Sequence, residues 1–79
     1  MPPADLLRLL RAQPYVPFRI HVDDGRVFEV RHPEFCMVGT ASAIVATPDS
    51  QNQGLYSSYE ILALRHFSSL EPLPAAQAG

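Results

Sequence analysis

Two runs of alternating apolar and polar residues, at 18–22 and 26–30, flank the dipeptide Asp24-Gly25 and dominate the pattern of this chain. Asp-Gly between two such runs is the strongest local signal for a β-hairpin. A two-residue loop would place apolar residues opposite charged ones. A three-residue loop that starts at Asp23 and ends in a left-handed Gly25 instead gives one apolar and one ion-paired face, as a half-buried sheet requires. This register pairs Phe18 with Val30, Ile20 with Phe28, and Arg19 with Glu29.

Prolines divide the rest of the chain into short elements. A helix is predicted at about 4–13, because Pro2 and Pro3 precede a leucine-rich run and Pro14 follows it. The helix is too short to be stable alone, so its leucines are expected to cover one end of the sheet. His32-Pro33-Glu34 is predicted to be a bulge or sharp bend within a continuous second strand. The later extended segments are predicted at 35–38, 43–47, 59–64 and 68–73.

One helix followed by five short strands, the second of them bent, predicts an all-β fold with one N-terminal helix. A small SH3-type five-stranded antiparallel barrel fits this order, because a bent strand lets a small sheet curl closed. The domain is predicted to span 1–73, with strands at about 17–73, and 74–79 is predicted to be a disordered tail.

Size and composition restrict the possible functions. A chain of 79 residues is near the lower limit for independent folding, and Cys36 is its only cysteine, so subunit association rather than a disulfide would add stability. No membrane span and no signal peptide is predicted, which makes cytoplasmic residence the expectation. A net charge of −2 argues against a strongly basic nucleic-acid-binding protein but allows a local arginine cluster.

The predicted helix, hairpin and strand order resembles the Sm/Lsm family, and in particular the bacterial Sm-like RNA chaperone known as host factor. Residues 18–28 match the family's hairpin without a gap, and Phe35 stands at the family's aromatic position ten residues after Gly25. Residues 64–70 loosely resemble its second motif, one residue shorter. The chain departs from the family at Cys36, where the family has aspartate, and at other positions of the RNA pocket. Val38 stands where the host-factor branch has a base-stacking aromatic, and His66 stands where other branches have glycine.

The resemblance implies a homo-oligomeric ring with RNA at its pore. The residues expected to line a shared corner are Arg65, His66, His32 and Phe35. An arginine there can stack on a base or clamp a phosphate, and an aromatic ring can stack. In the structural alternative, Arg65 pairs with Glu60 or Glu34 and the aromatic side chains fill the barrel.

Catalytic and metal chemistry have little support in the sequence. His21, His32, Cys36 and His66 lack the close spacing of a zinc site. The serines lack a nucleophile elbow, and the scattered glycines form no phosphate-binding loop. No enzyme activity, metal, cofactor or small-molecule substrate is therefore predicted.

Two strand edges predict self-association. Strands 59–64 and 68–73 would each leave backbone groups unpaired, and neither carries an interior lysine or proline that protects an edge. The predicted interface residues are Tyr59, Ile61, Leu62, Leu64 and Leu70. The leading hypothesis is a homo-oligomeric Sm-like assembly module that binds RNA at its Arg-His corner. The alternative is a protein-interaction or structural module without nucleic-acid binding.

Overall fold

A computed structural model describes residues 1–74, in which one helix precedes six antiparallel strands. The helix is α1 (Pro3–Leu10), and the strands are β1 (Phe18–Val22), β2 (Val27–Val30), β3 (Cys36–Val38), β4 (Ser42–Pro48), β5 (Tyr56–Ala63) and β6 (Phe67–Pro72). Two 3₁₀ turns, Pro33–Phe35 and Leu64–His66, precede β3 and β6. The predicted disordered tail, apart from Pro74, lies outside the described residues.

The first hairpin has the register that the sequence predicts. Phe18 pairs with Val30, Arg19 with Glu29, and Ile20 with Phe28. The amide of Gly25 donates to the carbonyl of Val22 over 2.9 Å, and Gly25 has a φ of 94°. A residue with a side chain is strained at this φ, so glycine is required where the turn reverses the chain.

The strands form two three-stranded antiparallel sheets, in the orders β2-β1-β6 and β3-β4-β5, and these sheets are not closed into a barrel. The predicted bent second strand is two strands, which corrects the count from five to six. The interruption follows from Pro33, which has no amide hydrogen for a strand ladder and whose fixed φ suits the first position of a helical turn. The chain makes one 3₁₀ turn there, and extended structure resumes at Cys36.

The core lies between the two sheets and under α1. Leu6 and Phe18 are fully buried in it, and both sheets contribute further apolar side chains. The helix ends at Leu10, three residues before its predicted end, and the amide of Arg11 caps its last turn on the carbonyl of Leu7. The ammonium group of Met1 donates to the carbonyl of Leu64 over 3.1 Å, which ties the start of the helix to the second 3₁₀ turn.

Candidate assembly interface

The free edge of β5 presents outward-directed backbone groups. β5 pairs only with β4 among the described strands. The amide of Leu64 donates to the carbonyl of Ala41 over 2.9 Å. Since the direction of the backbone groups alternates along an antiparallel strand, the amides of Leu62 and Glu60 also face β4. The alternate residues of β5 are Tyr59, Ile61 and Ala63. Their amides and carbonyls therefore point away from β4, in the plane of the sheet.

The second free edge belongs to β6, which pairs only with β1 among the described strands. The amide of Leu73 donates to the carbonyl of Pro17 over 2.8 Å, and Leu70 pairs with Ile20. By the same alternation, the amide and carbonyl of Leu70 point away from β1. Pro72 has no amide to offer, so the hydrogen-bonding part of this edge lies before it.

The side chains of the predicted interface residues divide into two groups. Tyr59 and Ile61 are exposed, and Leu70 is half-buried. Leu62 and Leu64 belong to the core of the subunit, with 6% and 3% of their surface exposed. Leu62 and Leu64 therefore pack within the subunit, whereas Tyr59, Ile61 and Leu70 keep part of their surface accessible.

The edge of β5 and the turn of the first hairpin lie on opposite sides of a groove lined by charged side chains. The guanidinium of Arg26 bridges Asp24 at 2.8 Å and Glu60 at 2.6 Å, and so joins the turn to β5. The Nδ1 atom of His66 lies 3.0 Å from Oδ2 of Asp23. The backbone amide of Arg26 donates to Asp24 and, together with the Arg26 side chain, lowers the pKa of that carboxyl. These ion pairs hold the hairpin turn beside the open edge of the second sheet.

The residues predicted to form one RNA-binding corner lie in two separate places. The first 3₁₀ turn precedes Cys36, which pairs with Val45, so Phe35 and His32 lie near the C-terminal end of β4. The second 3₁₀ turn follows Ala63, which pairs with Ser42 at the start of β4. At about 3.3 Å per residue, the two turns are on the order of 15 Å apart along β4. They do not form a shared site within one subunit.

Each half of the predicted corner has other neighbours. His32 and Phe35 line an open cavity of about 420 Å³ with the polar loop 48–54. Arg65 is exposed and makes no ion pair with another described residue, whereas His66 contacts Asp23. The sequence does not predict this carboxylate at the corner. It predicts the Asp24-Gly25 turn, but nothing local shows which distant segment the turn contacts.

The buried Cys36 and the half-buried Tyr15 have structural roles. Burial raises the pKa of the Cys36 thiol to about 11, so the thiol is protonated and unreactive at neutral pH. The hydroxyl of Tyr15 donates to the carbonyl of Val30 over 2.7 Å, and its pKa is raised, mainly by burial. The nearby Cys36 and Glu34 raise the pKa of Tyr15 further, so neither group is held in its reactive, deprotonated form.

The described residues contain no metal-binding cluster and no membrane-spanning helix, and the comparisons with known proteins identify no family. Within residues 1–74, no cluster of histidine, cysteine or carboxylate side chains has the geometry to hold a metal ion. The helix in the described part of the chain is too short to cross a membrane. The chain matches no protein-family model, no curated protein and no solved structure.

Proposed function

We propose that this protein is a non-enzymatic, homo-oligomeric assembly module with an Sm-like arrangement of its elements. β5 of one subunit pairs with β6 of the next, which continues each sheet into the neighbouring molecule. The observation that carries this proposal is the pair of free edges, with Tyr59, Ile61 and Ala63 on one and Leu70 on the other directing backbone groups outward. An unpaired strand edge is a template for pairing with another chain.

The two edges differ in sequence, so a contact between them is heterologous. A heterologous contact has different patches on its two sides, and repeated copies either close into a ring or extend as a filament. A closed ring pairs every β5 with a β6 and leaves neither edge free. The Sm-like resemblance of the helix, the first hairpin and the last corner agrees with this arrangement.

Ala63→Pro tests the edge contact directly. Ala63 has a φ of −73° and a ψ of 131°, which proline adopts without strain, and its amide points away from β4. The substitution therefore removes an outward donor without removing a hydrogen bond of the subunit. We expect the closed oligomer to be lost in Ala63→Pro and kept in Ala63→Ser, which retains the amide.

The mass of each variant is measured by light scattering at micromolar concentration, with circular dichroism to verify folding. A wild-type protein that is a stable monomer would contradict the proposal. An Ala63→Pro variant that is folded and has the wild-type mass would contradict it as well.

RNA binding by Arg65 is a second candidate function, because its guanidinium is exposed and makes no ion pair with another described residue. The Asp23 carboxylate contacts His66 at the same corner, however, and opposes the approach of phosphate. We therefore favour assembly without RNA binding.

Fluorescence titration with labelled poly-A and poly-U at low salt checks this choice. We expect the folded oligomer to show no binding that Arg65→Ala reduces relative to Arg8→Ala, a control at an exposed arginine of the helix. Weak, salt-sensitive binding that Arg65→Ala abolishes would establish the RNA function instead.

A further inference from the structure

The outer surface of the sheet β3-β4-β5, which we call the apolar face, carries a group of exposed apolar side chains. The exposed fractions of its large residues are 68% for Met37, 65% for Ile61, 59% for Tyr56, 56% for Tyr59 and 37% for Ile44. By the pairing pattern, every side chain that points outward from these three strands is uncharged. Soluble monomers rarely expose so continuous an apolar surface without a function for it.

The strand register places these side chains next to one another. Met37 pairs with Ile44, which pairs with Ile61, so one apolar row crosses all three strands. Tyr59 lies one step further along the same face, and its ring meets that of Tyr56 edge to face, with centroids 6.0 Å apart. The result is a continuous patch rather than scattered apolar residues.

The outer surface of the other sheet, which we call the charged face, has the opposite character. Glu29, Arg19 and Glu71 form a row in register across β2, β1 and β6. Arg19 lies 3.1 Å from Glu29, and His21 lies 2.9 Å from Glu71. The Arg19 and Arg31 guanidinium groups lower the pKa of the Glu29 carboxyl. This face is suited to water, and the apolar face is not.

We propose that a second copy of this chain covers the apolar face, with the same face of each copy meeting across a two-fold axis. The exposed surface of its five large residues, Met37, Ile44, Tyr56, Tyr59 and Ile61, amounts to on the order of 600 Å², about three quarters of the roughly 800 Å² per partner buried in a standard protein interface. A two-fold contact places the same patch on both sides, so a charged side chain near the axis would meet its own copy and a like charge. The absence of charges across the outward positions of β3, β4 and β5 removes that repulsion.

Face packing goes beyond the edge pairing of the proposed function and is compatible with it. Edge pairing uses backbone groups in the plane of a sheet, whereas packing of two sheets uses side chains perpendicular to that plane, at a separation of about 10 Å. Both contacts can therefore form in one molecule. Together they give two rings joined face to face.

Met37→Lys tests the face contact away from the proposed edge. Met37 lies on β3, across the sheet from β5, and its side chain is mostly exposed, so a lysine there does not disturb the subunit core. Val27→Lys is the matched control, because Val27 is an exposed apolar residue on the charged face. We expect Met37→Lys to halve the mass of the oligomer and Val27→Lys to leave it unchanged.

The combination with Ala63→Pro separates the two contacts. We expect the Ala63→Pro variant to be a dimer held by the apolar face, and the variant with both changes to be a monomer. If Met37→Lys has no effect on mass in either background, the apolar face is not a contact between copies and the inference is wrong. If Met37→Lys lowers the mass but Ala63→Pro does not, the face contact stands and the proposed edge pairing fails.

Discussion

Leu62→Asp should leave this chain unfolded at room temperature, whereas Ile61→Asp at the neighbouring position should leave it folded. Leu62 is 6% exposed and Ile61 is 65% exposed, because adjacent residues of β5 point to opposite faces of the sheet. An aspartate at Leu62 would have to bury a carboxyl group without a partner, which costs several kcal/mol. Small domains have a total stability of only about 5–15 kcal/mol, and this chain is near the lower size limit.

Circular dichroism and the dispersion of the amide proton spectrum distinguish the two variants. Leu62→Asp should lose both strand signal and dispersion, and Ile61→Asp should keep both. A folded Leu62→Asp protein of reduced mass would mean that Leu62 lies between subunits rather than in the core. That outcome would also reverse the inward and outward assignment of β5 on which the apolar face depends.

Leu6→Ala should lower the free energy of unfolding by about 2–5 kcal/mol, the range for truncating a fully buried leucine. Leu6 is the one side chain of α1 that is completely buried, and it contacts the core cluster between the sheets. A helix of eight residues is not stable in water without such packing. The substitution therefore removes both a core side chain and the main attachment of the helix.

Urea unfolding at a fixed protein concentration measures this effect, with Arg8→Ala as the control on the exposed side of the same helix. The control should change the free energy of unfolding by about 0.5 kcal/mol or less. Equal midpoints for the two variants would show that α1 does not stabilise the sheets.

The first hairpin could be predicted because its information is local. Asp24-Gly25 sets the turn, and the charges of Arg19 and Glu29 select one register over the other. Local sequence does not show where β2 ends. Pro33 is compatible with a bend and with a 3₁₀ turn, and the choice depends on how the sheet packs around it.

The sequence also does not show which side chains of β5 face the core. Ile61, Leu62 and Leu64 are all strongly apolar, so hydrophobicity alone does not show which of them faces the core. The partner strand decides it, because Leu62 stands opposite the buried Ala43 while Ile61 stands opposite the exposed Ile44. The separation of the two halves of the predicted RNA-binding corner could not be predicted either. Its two halves are attached to opposite ends of β4, and their separation depends on long-range strand pairing.

Because Cys36 is buried, the rate at which its thiol is labelled can report transient opening of the native protein. This residue is the only thiol of the chain, lies in the core between the sheets, and is protonated at neutral pH. A thiol-modifying reagent can react with it only in molecules whose sheets have transiently separated. The rate of labelling therefore measures how often the native protein opens at β3, without any added probe. Compared with the free energy of unfolding, this rate distinguishes local parting of the sheets from complete unfolding of the chain.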